Sequence, residues 1–269
     1  MYKRLMPKVF FLGIVLLLMV IFLGYNYVQA EEPVRVMAAA SLTEVFTELA
    51  QTFTEKTGII VECNFAGSQA LYSQIKLGVN ADIFASANIK YMNQLEEAEM
   101  VIEPAIFAKN KLIIAVSKAS DKIAKIADLT AGDIKIVIAD ESVPVGGYTI
   151  KMLTKENSNP DLGENFKAEF MGNVVSKELD VKSVVNKVYL GEADAGVVYQ
   201  TDLTPTTKKK VTMLKIADKY NIIASYPIAL LKSSQNKKAA QQFIDYIHSD
   251  EGINILVKYG FSRPGMDSD

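Results

Sequence analysis

The 269-residue sequence predicts an α/β protein with mainly parallel sheets flanked by helices, divided into two lobes. Three observations carry that expectation. Strand-like and helix-like patterns alternate along the chain. Corners where a strand passes into a helix are built from small residues, as in "VRVMAAASLTEVF" at residues 34–46. Two apolar runs, "KLIIAVS" at 111–117 and "YPIALL" at 226–231, stand where a chain leaving one lobe and returning would cross. No stretch reads as a disordered linker, so the lobes should be joined by short segments, the first discontinuous (34–110 with 225–266) and the second continuous (111–224).

Residues 1–30 stand apart from this pattern. Lys3, Arg4 and Lys8 begin the chain with positive charge, residues 9–23 are uninterruptedly apolar, and "VQA" precedes Glu31 like a cleavage site. The segment reads as an export signal, with an uncleaved membrane anchor as the alternative. No cysteine lies near that site, so attachment through a lipidated cysteine is not expected. The protein is therefore expected outside the cytoplasm, periplasmic or at the cell surface.

The first strand spans 34–39. Leu42, Val45, Phe46, Leu49, Ala50 and Phe53 then recur at helical spacing as far as Gly58. "IIVECNFA" is a second strand, "ALYSQIKLG" a short helix and "ADIFASA" a third strand. After "KLIIAVS" come the strand "IKIVIAD", a helix starting near Gly147, the apolar run "EFMGNVV", the helix "VKSVVNKVYLG" and the strand "AGVVYQT". "YPIALLK" is a further strand, and "QNKKAAQQFIDYIHS" and "EGINILVKYG" are closing helices. "KKK" at 208–210 reads as a solvated turn between strands, and the acidic "LEEAE" at 95–99 as a solvated helix face.

Removing Lys3, Arg4 and Lys8 from 29 basic residues leaves 26 against 31 acidic ones. This mild acidity disfavours nucleic acid and anionic membranes as partners. The sole cysteine, Cys63, reads as a small buried hydrophobe. The sole histidine, His248, falls near the end of an amphipathic helix. No zinc, P-loop or dinucleotide motif is present, and a histidine-assisted nucleophile would have to rely on His248. An enzyme is not expected, and no cofactor is implied.

What the chain offers is a set of small-residue loops at helix starts. In "AAASL", Ser41 precedes Glu44 with capping-box spacing, which predicts Ser41 at an N-cap. In "FAGSQA", Gly67 and Ser68 open a helix. In "SVPVGGY", Gly146 and Gly147 suggest unusual dihedrals before a helix. In "ELDVKSVV", Asp180 is the expected N-cap and Val181 begins the first turn. Each helix start exposes unpaired N–H groups and the positive end of a dipole, so several aimed at one point would hold an anion without a cationic side chain.

"AAASL", "FAGSQ", "ADIFASA", "VPVGGY", "LDVKSVV" and "GEADAGVVYQTD" resemble, in order, the motifs of molybdate-binding proteins of ABC uptake systems; "YPIALL" and the terminal "YGF" fit as well. The resemblance covers about residues 34–263. It implies a two-lobed type II periplasmic-binding-protein fold with crossing hinge strands, closing on one tetrahedral oxyanion and delivering it to a membrane permease. It also implies a monomer. The ligand contacts it implies are hydroxyl and backbone N–H from Ser41 and Ser68, backbone N–H from Val145 and Val181, and the phenolic O–H of Tyr199. Molybdenum would enter only inside the oxyanion, with no protein atom ligating the metal. Val145 stands where alanine is usual, and Gln69 where a second serine is common.

Molybdate is unprotonated at neutral pH and needs donors only, whereas phosphate keeps a proton part of the time and would leave it unpaired in such a site. Sulfate is smaller and cannot meet every donor at once. Tungstate nearly matches molybdate and is expected to bind too. The rival readings are tungstate alone, sulfate, or ferric ion held by tyrosines and a carboxylate on the same fold.

Overall fold

The computed structural model describes residues 32–265. β1 (Val34–Ala39) pairs in parallel with β2 (Val61–Ala66) on one side and β3 (Ile83–Ala85) on the other. A short 3-10 turn (Ala40–Leu42) leads from β1 into α1 (Thr43–Thr57), whose buried Val45, Phe46, Leu49, Ala50 and Phe53 form the expected apolar stripe. Gly58, at φ 77°, ends that helix in the left-handed conformation open to glycine. α2 (Ser68–Lys76) and α3 (Ile89–Glu97) complete this half of the molecule with α7 (Lys237–His248) and α8 (Asp250–Lys258). The Phe46 ring meets Phe107 and Phe243 edge-on, with centroids 5.7 and 6.3 Å apart. Burying each such ring contributes about 2–3 kcal/mol.

The other half contains β5 (Ile136–Ala139), α4 (Pro144–Glu156), α5 (Phe166–Gly172), β6 (Val174–Glu178), α6 (Val181–Leu190), β7 (Ala195–Tyr199) and β8 (Val211–Lys215). β5 runs parallel to both β6 and β7. Two strands connect the halves, β4 (Val101–Ser117) and β9 (Ile223–Leu231). β4 pairs with β9 as far as Lys111, opposite Ile223; from Leu112 onward its partners are β7 and β8. The sheet order is β2-β1-β3-β9-β4-β7-β5-β6, with β8 beside β4.

Several details depart from the sequence reading. The sheet is mixed: β4 and β9 are antiparallel to each other and to their other neighbours, because β9 is the return of a chain that left along β4. β4 begins at residue 101, not 111, and its 17 residues span roughly 55 Å at about 3.3 Å each. Its first part is hidden in the sequence by Glu103 and Pro104, which sit at a register shift between Ile102 and Ala105, with Glu103 at φ 48°. "EFMGNVV" divides between α5 and β6. α4 starts at Pro144, ahead of the two glycines. Neither Gly146 nor Gly147 has a positive φ; a Cβ on Gly146 would lie 1.9 Å from the Asp140 carbonyl oxygen, so close approach, not dihedral freedom, requires glycine there.

Cys63 is a free thiol, half-buried on β2 rather than sunk in the core, and burial pushes its pKa up to about 12. His248 is exposed at the end of α7, with Nδ1 2.9 Å from the Ile244 carbonyl oxygen. The lysines at 208–210 lie in and after a 3-10 turn before β8. Residues 1–30, read as an export signal, lie outside the described residues. Among the described residues no helix is long and apolar enough to cross a membrane.

Candidate functional site

Three helix starts and one 3-10 turn face a single pocket where the two halves meet. Ser41, Ser68, Val145, Val181 and Tyr199 all line it, with Ala39, Ala40, Gly67 and Ala87 supplying small surfaces between them. All five are buried. The alanines at 38–40 therefore let the turn at Ser41 sit against this space rather than fill it.

Ser41 is not an N-cap. The residue before α1 is Leu42, no side chain caps that helix, and Ser41 sits inside the 3-10 turn. Its hydroxyl lies 3.0 Å from the Tyr226 hydroxyl, which also accepts from Asn110 Nδ2 at 3.4 Å. With Asn110 donating to Tyr226 and Tyr226 donating to Ser41, the Ser41 proton is free to point into the pocket. Glu44, the expected second half of the capping box, reaches instead to Lys182 on α6, at 2.8 and 2.9 Å.

Gly67 is the residue before α2, and Ser68 is its first residue. Ser68 Oγ accepts the Ala87 backbone N–H at 3.1 Å, which leaves its own proton available. On the opposite wall Val145 is the second residue of α4 and Val181 the first of α6, so neither backbone N–H has an acceptor within its helix. Asp180 caps α6 as expected, accepting from the Ser183 N–H at 2.9 Å. The pocket thus receives two helix dipoles from this wall and one from α2.

Tyr199 ends β7. Its hydroxyl is buried without a hydrogen-bond partner, and its ring packs edge-on against Tyr226 at 5.7 Å. Burial, reinforced by the neighbouring Tyr226, holds the phenol well above its ordinary pKa, so it remains a neutral donor. Leaving a buried hydroxyl unpaired costs about 1–3 kcal/mol, a cost that a bound acceptor would remove.

One buried ionic group lies behind the pocket. Asp202 is fully buried, accepts the Tyr199 backbone N–H through Oδ2 at 3.0 Å, and faces Lys182 Nζ through Oδ1 at 3.2 Å. Burial raises the Asp202 pKa, against the pull of Lys182. Burial also works to lower the Lys182 pKa, but Asp202 and Glu44 outweigh it and hold the ammonium charged. Flanked by two carboxylates, Lys182 offers the pocket no countercharge. No sequence motif assigns Tyr226, Asn110, Lys182, Asp202 or Glu44 to this setting. The only signal for them was their nearness to motif residues, and a contact between Ser41 and Tyr226 spans 185 positions.

Two halves crossed by two strands, with a donor-lined pocket at their junction, define a solute-binding protein of the type II periplasmic-binding-protein fold. The chain belongs to the bacterial extracellular solute-binding proteins, whose family model matches residues 34–262. It is 34% identical over 241 residues to the molybdate-binding protein ModA of Mycobacterium tuberculosis, covering 88% of this chain and 87% of that one. The ModA of Haemophilus influenzae is 30% identical, with 89% and 93% covered. Among solved structures, the substrate-binding domain of a putative molybdenum ABC transporter from Clostridium difficile matches with a TM-score of 0.64 at 28% identity, covering 86% of this chain and 98% of that one. The sulfate-binding protein SubI of M. tuberculosis, at TM-score 0.77 but 14% identity over 87% of this chain and 88% of its own, shares the fold alone.

Proposed function

We propose that the chain binds the molybdate oxyanion, and tungstate with it, outside the cytoplasm and delivers it to the membrane permease of an ABC uptake system. The observation that carries this reading is the donor set: hydroxyls of Ser41, Ser68 and Tyr199 and backbone N–H groups of Val145 and Val181 line one buried pocket. No unpaired carboxylate lines it, and Lys182 is neutralised beside it. A fully deprotonated tetrahedral dianion satisfies every donor; phosphate would bring a proton with no acceptor to meet it. A ferric site would need carboxylate and several phenolate oxygens, whereas the pocket is lined by one tyrosine whose phenol is held neutral.

The lobes are assigned as 34–110 with 225–266 and 111–224, which fits the change of β4 partner between Lys111 and Leu112. Ser41 and Ser68 then belong to one lobe, and Val145, Val181 and Tyr199 to the other. An anion that meets donors from both favours the closed arrangement by its differential affinity for it. The protein acts as an exported monomer, without catalysis or a cofactor.

Thermal melts with molybdate, tungstate, sulfate, phosphate and ferric citrate in parallel test this. Ligand at about 100 times its dissociation constant adds about 2.7 kcal/mol, a rise of several degrees. A rise with molybdate and tungstate but not sulfate is expected. No response to either would reject the reading, and a rise with sulfate or iron alone would replace it.

A further inference from the structure

Side chains from the two proposed lobes meet at the rim of the pocket without lining it. Gln69 Nε2 on α2 donates to the Leu179 carbonyl oxygen at 2.7 Å, and the Tyr91 hydroxyl on α3 donates to the Ser142 carbonyl oxygen. The third contact differs from these, because it continues inward. Glu44, in the first turn of α1, grips Lys182 with both oxygens; Lys182, next to Val181, faces the buried Asp202; and Asp202 holds the backbone N–H of Tyr199. An unbroken chain of charges therefore runs from one lobe to the backbone of the pocket tyrosine in the other.

We infer that Lys182 is a positioning residue: recruited by Glu44 across the cleft, it fixes Asp202 and so aims the Tyr199 hydroxyl at the ligand only when the lobes are together. The inference rests on the oxyanion reading for its functional meaning. Lys182 reaches both partners because α6 starts at the pocket wall, which places its second residue between α1 and the turn after β7. Asp202 has no exposure through which water could hold its carboxylate, so the ammonium and the Tyr199 N–H are what favour its charged form and orient it. In the open state Glu44 withdraws, the ammonium has one partner fewer, and Tyr199 loses its fixed direction. Dissociation of the anion and breaking of the Glu44–Lys182 pair become one event. The direct partners of Ser41 and Ser68, Tyr226 and the Ala87 N–H, lie in their own lobe.

Glu44→Gln is the chief test, because it cuts the cross-cleft end and leaves Lys182 on Asp202. Lys182→Met strands a buried carboxylate and risks misfolding, and Lys182→Arg serves as the conservative rescue. With sodium molybdate as ligand, E44Q should dissociate about tenfold faster with little change in association rate, as truncating one partner of such a pair does. In a Tyr199→Phe background the same substitution should cost about twofold or less, because the hydroxyl it acts through is gone. The ring signal of Tyr199 in molybdate-bound protein carrying 13C-tyrosine, assigned by Y199F, should move in E44Q, and K182R should retain both the signal and the slow dissociation.

Equal losses from E44Q in both backgrounds, or a Tyr199 signal unmoved by E44Q, would overturn the inference. Failure of the unaltered protein to bind molybdate would instead sink the oxyanion reading, a result distinct from either of those.

Discussion

The two walls of the pocket present donors by different means. On the wall built after β1 and β2, the donors include the side-chain hydroxyls of Ser41 and Ser68, each oriented by a second group, Tyr226 or the Ala87 N–H. On the wall built from α4 and α6, two donors are backbone N–H groups at helix starts, and the valines that carry them are buried. A hydroxyl is lost by substitution; a backbone N–H persists under any side chain that leaves the helix start in place. The first wall should therefore be sensitive to chemistry and the second to packing. Tyr199 stands between the two, a side-chain donor on the backbone-donor wall, unpartnered until a ligand arrives.

The sharpest test of that contrast is Ser41→Asp, which sets a buried carboxylate against a dianion and also displaces the Tyr226 contact. Calorimetric titration should show molybdate affinity falling at least about 1,000-fold, since an unpaired buried charge costs several kcal/mol; unchanged affinity would remove Ser41 from the site. Tyr199→Phe should come next. Losing one hydrogen bond to a charged ligand lowers affinity by about 10- to 100-fold, while the ligand-free melting temperature holds or rises, because the orphaned hydroxyl has gone.

Val145→Ala probes the other wall. Affinity should stay within about twofold, because the N–H remains, while stability falls by about 1–3 kcal/mol from the volume lost at a fully buried position. A large loss of affinity with stability retained would break the comparison. The smallest effect expected is that of alkali on binding. Burial holds Tyr199 and Tyr226 above the ordinary phenol range, so their donors persist and affinity from this source is flat between about pH 7 and 10. Stability behaves differently above that window. The unfolded chain releases these protons from about pH 10 and the native one does not, so the contribution is complete below pH 10 and declines as pH climbs towards the native values.

The legible parts of the fold were those with local causes. The stripe in α1, the Asp180 cap and the small residues around Gly67 and Ser68 depend on neighbours a few positions away, and each is found as expected. The capping box at Ser41 and Glu44 had the right spacing but not the right partners. Lys182 lies 138 positions from Glu44, and Tyr226 lies 185 from Ser41; these contacts took both side chains. Gly146 is a milder case, in which the glycine stands out in the sequence but its reason does not: the Asp140 carbonyl that excludes a Cβ lies against it only once β5 and α4 are packed.

The sequence by itself determined the alternating α/β architecture and the helix starts with small or capping residues, because periodicity and capping are written within short windows; the five residues that line the pocket were legible only through the ordered motifs of the family it resembles. Only the tertiary structure decided that these starts meet at one point, that β4 and β9 run antiparallel through the junction, and that Tyr226 and Lys182 stand behind the pocket. Convergence is a relation between segments far apart in the chain. It arises when the sheet order brings their ends together, and no local pattern encodes that order.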